Sequence, residues 1–403
     1  MKNIFVFDEH LSSKFNGVGA FMNAISSCVT KSNMQLNLIS FNEEVTDFCI
    51  EKHDGHVIYK YPMYGGLFIE NALPALSILK LYVNDSHENI FLSSYCPSHI
   101  LLKTIKTLFP KSKRISIIHD QGWTSPLQGN SELYKEILSH RRLKGIDYGV
   151  QKFIKAFYRK ELAMYRLSHH IVCLSPSTNR LLQKIYQVSP EKISMIPNGI
   201  DIKPYENSID DRTEIRHNLG IDEDEKVLLF AGRVVKAKGI YQLLGAFEKI
   251  WHNNHKLHLV IAGITDKIEE YTKHVPDSIS HVTFTGLISK SRLHQWYKAA
   301  DIGVLPSYTE QCSYAGMEMM AEKLLVVTTD GNGLRDMFDS SCAYIVKANE
   351  DTMAEELACK LQEALEATLE ERNEKIGAAY KRVKNVFSLE RMQTGYSQML
   401  NLL

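Results

Sequence analysis

Short runs of β-branched and aromatic residues recur down almost the whole chain, each closed by Gly, Asn or Asp and followed by a longer stretch with helical spacing. Asn3–Phe7, Leu36–Phe41, His56–Tyr59, Asn89–Leu92, Arg114–Ile118, His170–Leu174 and Ile193–Ile196 read as strands in the first half. Val227–Ala231, Leu257–Ala262, Val282–Thr285, Ile302–Leu305, Leu325–Thr328 and Ala343–Val346 read as strands in the second. Many are apolar at every position. That pattern suits strands buried on both faces of a parallel sheet, where helices make the crossovers. The fold class is therefore α/β, and 403 residues suit two doubly wound domains better than a single core. A boundary is expected where Ile196-Pro-Asn-Gly-Ile-Asp201 turns the chain and Lys203 to Asp211 shows no period, giving domains 1–200 and 201–385. The last stretch, from Glu350, has no strand signal and ends in an amphipathic helix after Phe387-Ser388.

Composition narrows the setting. With 44% hydrophobic and 23% charged residues the chain is neither disordered nor membrane-embedded, and no segment approaches the length of a membrane span. Met1-Lys-Asn-Ile-Phe-Val-Phe-Asp8 has too short an apolar run for a signal-peptide core. Seven cysteines without a Cys-x-x-Cys pair argue against a disulfide framework or a structural zinc site, so a cytoplasmic setting is expected. Formal charge is zero overall, but residues 1–170 hold 20 Lys+Arg against 15 Asp+Glu. A basic surface on the first half follows. Nothing points to nucleic acid.

Chemistry concentrates in five places. Glu310 and Glu318 lie in Glu310-Gln-Cys-Ser-Tyr-Ala-Gly-Met-Glu318, just after the apolar run Ile302–Leu305 and Pro306. A strand, a short loop and a helix start meet there. The first amides of such a helix, with its dipole, favour a phosphate, while flanking carboxylates suit hydroxyls. A sugar nucleotide offers hydroxyls on both sides of a diphosphate. Phe230-Ala-Gly232-Arg233-Val-Val-Lys236-Ala-Lys238-Gly239 follows another strand and puts Arg233 and Lys238 within reach of one anion. Phe15-Asn-Gly17-Val-Gly19 opens a helix after the first strand, where glycines let amides approach a ligand. Met22 stands where the dinucleotide fingerprint needs a third glycine, which counts against NAD. Ile117-Ile-His119-Asp120 closes a strand, the place where open α/β sheets bind ligands. Asp330-Gly-Asn-Gly333-Leu-Arg-Asp336 is a glycine-rich loop or a plain turn.

Taken in their order along the chain, the motifs resemble those of the retaining glycosyltransferases of family 4, over nearly the full chain. The resemblance implies the GT-B fold: two Rossmann-like domains facing across a cleft, with a C-terminal helix (386–403, starting near Phe387-Ser-Leu-Glu-Arg-Met392) crossing back to complete the N-terminal, acceptor-side domain. It implies catalytic roles for His119, at the reacting edge of the transferred sugar, and Glu310, on the donor sugar hydroxyls. Arg233 and Lys238 would clamp the diphosphate, with the amides of Ser313, Tyr314 and Ala315. Glu318 would hold the ribose, and Gly17 and Gly19 would lie near the phosphates and the acceptor. No metal and no cofactor are expected. The co-substrate is a nucleotide sugar, UDP-linked ahead of GDP-linked by frequency in the family, and the acceptor a glycan, a lipid-linked molecule or a peptide. No nucleophilic carboxylate stands out, so front-face transfer with retention is the expected mechanism.

Three other readings compete. An NAD(P)-dependent enzyme would explain two Rossmann-like halves but not Arg233, Lys238 and the glutamate pair. A sugar-nucleotide epimerase of the same architecture would need an acid/base set absent from these motifs. A non-catalytic sugar-nucleotide-binding protein is the third. Residues 140–170 carry eight Lys/Arg against two acids, with aromatic and aliphatic residues between. They read equally as a packed helix with a basic outer face or as a peripheral contact with the inner face of a membrane.

Overall fold

A computed structural model describes the chain save for residues 8–16, 33, 43–44, 54, 95 and 207–211 and for the side chains of 17–20, 31, 42 and 206. The chain divides into two units, Met1–Pro197 with Met392–Leu403, and Asn198–Arg391.

The first unit is built on β1 (Asn3–Phe7), β2 (Gln35–Asn42), β3 (Cys49–His53), β4 (His56–Pro62), β5 (Asn89–Ser93), β6 (Lys113–Ile118), β7 (His170–Cys173) and β8 (Ile193–Met195). They form one eight-stranded sheet in the order β3-β4-β2-β1-β5-β6-β7-β8. β5 is buried at every position, whereas the edge strand β3 is not. The uniformly apolar strands occupy the middle of the sheet because only there do helices cover both faces. β3 was not foreseen. It pairs antiparallel with β4, His53 opposite His56, and the signal for it is Asp54-Gly55, a hairpin dipeptide whose glycine has φ +79°. Its short, mostly polar sequence hid it among loops.

The C-terminal helix Leu389–Leu402 contributes its residues from Met392 onward to this first unit. Lys2 Nζ donates to the carbonyls of Leu400 (2.7 Å) and Asn401 (2.9 Å), Gln393 Nε2 donates to Ser27 Oγ (3.2 Å), and Tyr396 meets Phe21 edge-on at 5.9 Å. Gly395 lies so close to Ile196 that a Cβ would stand 3.0 Å from its side chain.

The second unit holds β9 (Lys226–Ala231), β10 (Leu257–Ala262), β11 (Val282–Gly286), β12 (Ile302–Leu305), β13 (Leu325–Thr329) and β14 (Tyr344–Val346). All pair in parallel, in the order β11-β10-β9-β12-β13-β14. Strand order reverses between β9 and β12. Such a reversal, at the carboxyl ends of the strands, is the usual ligand crevice of such sheets. At the other end of the same strands, buried Asp301 accepts from the Val227 N–H (2.9 Å) and pairs with Arg216 (3.4 Å) and Arg212 (3.1 Å). These bonds tie the starts of β9 and β12 together.

Candidate functional site

The crevice of the second unit is made by two loops that the backbone forces into contact. The first, Gly232–Gly239, leaves β9 and contains one turn of 3-10 helix, Lys236–Lys238. Gly239 closes that turn at φ +69°, and any Cβ there would stand 2.0 Å from the Pro306 carbonyl oxygen. Only glycine meets both demands. The Tyr308 N–H adds a bond to the Ala237 carbonyl (3.1 Å), fastening the loop to the segment after β12. Lys238 is thereby delivered to Glu310: Nζ donates to Oε1 at 2.5 Å, with both side chains 16% exposed, and Ser307 Oγ donates to the same oxygen at 3.0 Å. Arg233, on the same loop, is exposed. Lys236 points elsewhere and pairs with Glu350 at 2.7 Å.

The glycine-rich loop after β13 supports the other side. Glu310 N–H donates to the Asn332 carbonyl (2.8 Å), and a Cβ on Gly333, itself at φ +80°, would stand 2.0 Å from the Glu310 carbonyl oxygen. A Cβ on Gly331 would stand 2.5 Å from the Tyr308 carbonyl oxygen. The motif Asp330–Asp336 is thus the backbone buttress of the Glu310 loop.

Helix Tyr314–Ala321 begins at this crevice, and Ser313 caps it by accepting from the Gly316 N–H (3.2 Å). The Ser313 N–H itself donates to Met337 Sδ (3.1 Å). Tyr314 and Ala315 therefore supply the first-turn amides that precede the helical ladder. Cys312 is buried, which pushes its thiol up to about 12, so it behaves as a small apolar residue there. One helical turn on, Glu318 Oε2 accepts from Tyr297 Oη (2.9 Å). Burial raises the Glu318 pKa above the usual carboxylate range, and the tyrosine bond and the charge of Lys290 oppose that rise. Residues 233, 238, 310, 313–315 and 318 all belong to this second unit.

His119, Gly17 and Gly19 belong to the first unit. Gly17 and Gly19 lie in the first turn of helix Gly17–Lys31; the Phe15-Asn16 part of their motif lies outside the described residues. That helix carries Phe21, which meets the His119 ring edge-on at 4.4 Å. His119 follows β6 directly, and its Nε2 is buried and meets no hydrogen-bond partner among the described residues. Burial holds the imidazole down to about 4, so it is neutral at physiological pH, able to donate or accept one hydrogen bond but not to supply a cation.

The segment that follows His119 is gripped by helix Tyr148–Leu167. Glu161, the buried acid of that helix, accepts from the Gly122 N–H (3.0 Å) with Oε1 and from the Tyr186 hydroxyl with Oε2. Tyr186 in turn meets Tyr134 Oη at 2.7 Å. Desolvation lifts the Glu161 carboxyl to about 7. Phe157 covers Gly122, where a Cβ would fall 2.0 Å from its ring. Sequence reasoning missed Glu161, Tyr186, Tyr297 and Ser307. For Ser307 the signal was available, a hydroxyl three residues before Glu310 at the strand end; the others are brought in from other segments and carry no local mark.

Two family models divide this chain between them: "Glycosyltransferase Family 4" matches residues 51–203 and "Glycosyl transferases group 1" matches residues 211–382. A glycosyltransferase of Methanocaldococcus jannaschii is 30% identical over 210 residues, 50% of this chain and 53% of that protein. The chain spans about half the length, or less, of the curated relatives it matches. Among solved structures, sucrose-phosphate synthase of Thermosynechococcus elongatus superposes with TM-score 0.78 at 18% identity, over 100% of this chain and 99% of that one. HepE of Anabaena, in complex with UDP-glucose, superposes with TM-score 0.72 at 15% identity over the whole of both chains. At such identities the likeness concerns the fold, which is GT-B.

Proposed function

Because the chain belongs to the group 1 glycosyltransferases of family 4, we propose that it moves a glycosyl unit from a UDP-linked sugar to a hydroxyl of a glycan, lipid-linked or peptide acceptor, with retention of configuration. The observation that carries this reading is the Lys238–Glu310 pair at the reversal of strand order, beside exposed Arg233 and the first turn of helix Tyr314–Ala321. A cation and an anion neutralise one another there until a ligand separates them. A diphosphate draws Lys238, Arg233 and the amides of Tyr314 and Ala315, which releases Glu310 to accept from donor-sugar hydroxyls. Glu318, set back in the same helix, accepts from the ribose. That HepE binds UDP-glucose supports UDP as the nucleotide.

In the transfer step the bond from the anomeric carbon to the diphosphate oxygen breaks while the acceptor oxygen bonds to the same face of that carbon. The acceptor's proton passes to the departing diphosphate. The two cations and the helix amides answer the charge growing on the leaving group, so the reaction as proposed uses no metal and no cofactor. In the first unit, the neutral imidazole of His119 is able to offer a sugar one hydrogen bond.

A lipid-linked acceptor is favoured by the outer face of helix Tyr148–Leu167. Ile154, Met164 and Tyr165 turn inward, whereas Lys152, Arg159 and Lys160 are exposed with Tyr148 and Phe153, each 45% accessible. Lys152 lies over the Tyr148 ring at 4.5 Å and Arg142 at 5.0 Å. Basic heads among exposed aromatic rings suit an anionic membrane surface, and no helix among the described residues is long and apolar enough to cross one.

Thermal stabilisation by UDP, GDP and their sugar conjugates tests the reading. At about 100 times its dissociation constant a ligand confined to the native state contributes about 2.7 kcal/mol. UDP should raise the melting temperature of the wild type and do so much less for Arg233→Ala. Equal stabilisation of both proteins would remove the diphosphate clamp.

A further inference from the structure

The second unit carries another cluster of chemistry, at the end of its sheet opposite the crevice. Glu225 directly precedes β9, His258 is the second residue of β10, and His281 directly precedes β11. These three strands are neighbours, in the order β11-β10-β9, so one ligand-type side chain stands at the amino end of each. His258 Nδ1 lies 3.3 Å and His281 Nδ1 3.9 Å from Glu225 Oε1, and one donor atom from each of the three residues falls within 4.8 Å of the others. Donors bound tetrahedrally to zinc at about 2.0–2.1 Å stand about 3.3–3.4 Å apart. The cluster needs movements below about 1.5 Å to close on such an ion. All three side chains are partly buried, with exposures of 17%, 21% and 32% for Glu225, His258 and His281.

The outer partners also fit. His258 Nε2 engages Thr283 Oγ1, on β11, at 2.8 Å. In the tautomer whose Nε2 donates to Thr283, Nδ1 is the unprotonated nitrogen and turns its lone pair toward the Glu225 carboxylate. Two lone pairs at that distance repel unless a proton or a cation lies between them. A ligating histidine whose other N–H is held by an oxygen is the usual arrangement at protein metal sites. Trp251 stands beside the cluster, its ring 5.3 Å from that of His281, and offers an internal probe.

We propose that Glu225, His258 and His281 bind a divalent transition-metal ion, zinc by donor type, with solvent in the remaining position, and that the ion clips the starts of β9, β10 and β11 together. The two histidines and one carboxylate suit Zn²⁺ better than Mg²⁺ or Ca²⁺, which require oxygen ligands. This role is structural and lies apart from the proposed transfer chemistry.

Titration of the EDTA-stripped full chain with Zn²⁺ by calorimetry, and with Co²⁺ by visible absorption and Trp251 fluorescence, tests the proposal. One ion per chain should bind, with the ligand-field bands of four-coordinate Co²⁺. Glu225→Gln and His281→Ala should each weaken binding about tenfold or more. A second group, Glu248, His252 and Asp277, lies near the same tryptophan, and His252→Ala should leave affinity unchanged. Should the ligand variants fold poorly, Thr283→Val, which removes only the bond to His258 Nε2, must still weaken binding. Absence of saturable binding, binding that survives both ligand variants, or binding lost in His252→Ala would each overturn the assignment.

Discussion

Removing the Lys238 ammonium separates the stability of the crevice from its affinity. In Lys238→Met, Glu310 keeps Ser307 as a donor but loses its counter-ion at 16% exposure. Breaking a fully buried pair in this way costs about 3–5 kcal/mol. Here residual solvent and the serine bond reduce the loss to about 2 kcal/mol. For a unit of this size about 2 kcal/mol reads as roughly 4–8 °C in melting temperature. Glu310→Gln in the same background removes the unpaired charge, so the double variant should regain most of that loss, with a coupling energy of about 2 kcal/mol in the cycle. Urea unfolding followed by tryptophan fluorescence, at constant m, measures all four proteins. UDP should stabilise neither Lys238→Met nor the double variant as it does the wild type. Additivity of the single changes within about 0.5 kcal/mol, or a double variant that responds fully to UDP, would refute the paired-until-bound account of the site.

Two further outcomes are expected. The Glu161 carboxyl titrates at about 7 in the folded chain against an ordinary 4.5, so between these values the folded state holds a proton the unfolded chain has released. Its contribution is fully present below 4.5 and is lost as pH rises through 7, about 3 kcal/mol in all. Glu161→Gln can still accept from Gly122 and donate to Tyr186, so its melting temperature should exceed that of the wild type at pH 8 and converge with it near pH 5; an unchanged difference across that range would show that Glu161 is ionised throughout. At the surface, Lys152→Ser with Lys160→Ser should weaken cosedimentation with anionic vesicles about 30-fold, at about 1 kcal/mol per basic residue, and equal partitioning of wild type and variant would leave the basic face a packed helix with a solvated exterior.

Most of the fold was legible because its signal is local. A largely apolar run of four or five residues can be buried at every position only inside a parallel sheet, and β5, β12 and β13 lie there. β3 was missed because an edge strand need bury little, and its short, mostly polar sequence reads like a loop's. Glu161 was missed for the opposite reason. A lone acid in a basic helix reads as a surface charge, and only the approach of Gly122 and Tyr186 from other segments makes it a buried hydrogen-bond acceptor.

The chain's residues alone determined which chemistries are available: two cations after one strand, two carboxylates after another, and glycines where a backbone must pass close to its neighbour. Which of these groups meet was decided by tertiary structure. Lys238 and Glu310 are 72 residues apart and come to 2.5 Å because β9 and β12 are neighbours in the sheet and Gly239 lets one loop rest on the Pro306 carbonyl. Glu225, His258 and His281 carry no spacing that a motif would record, and they converge only because β9, β10 and β11 start side by side. Local propensity acts over a few residues, whereas strand order is settled by the burial of whole faces, and that energy is shared by segments far apart in the chain.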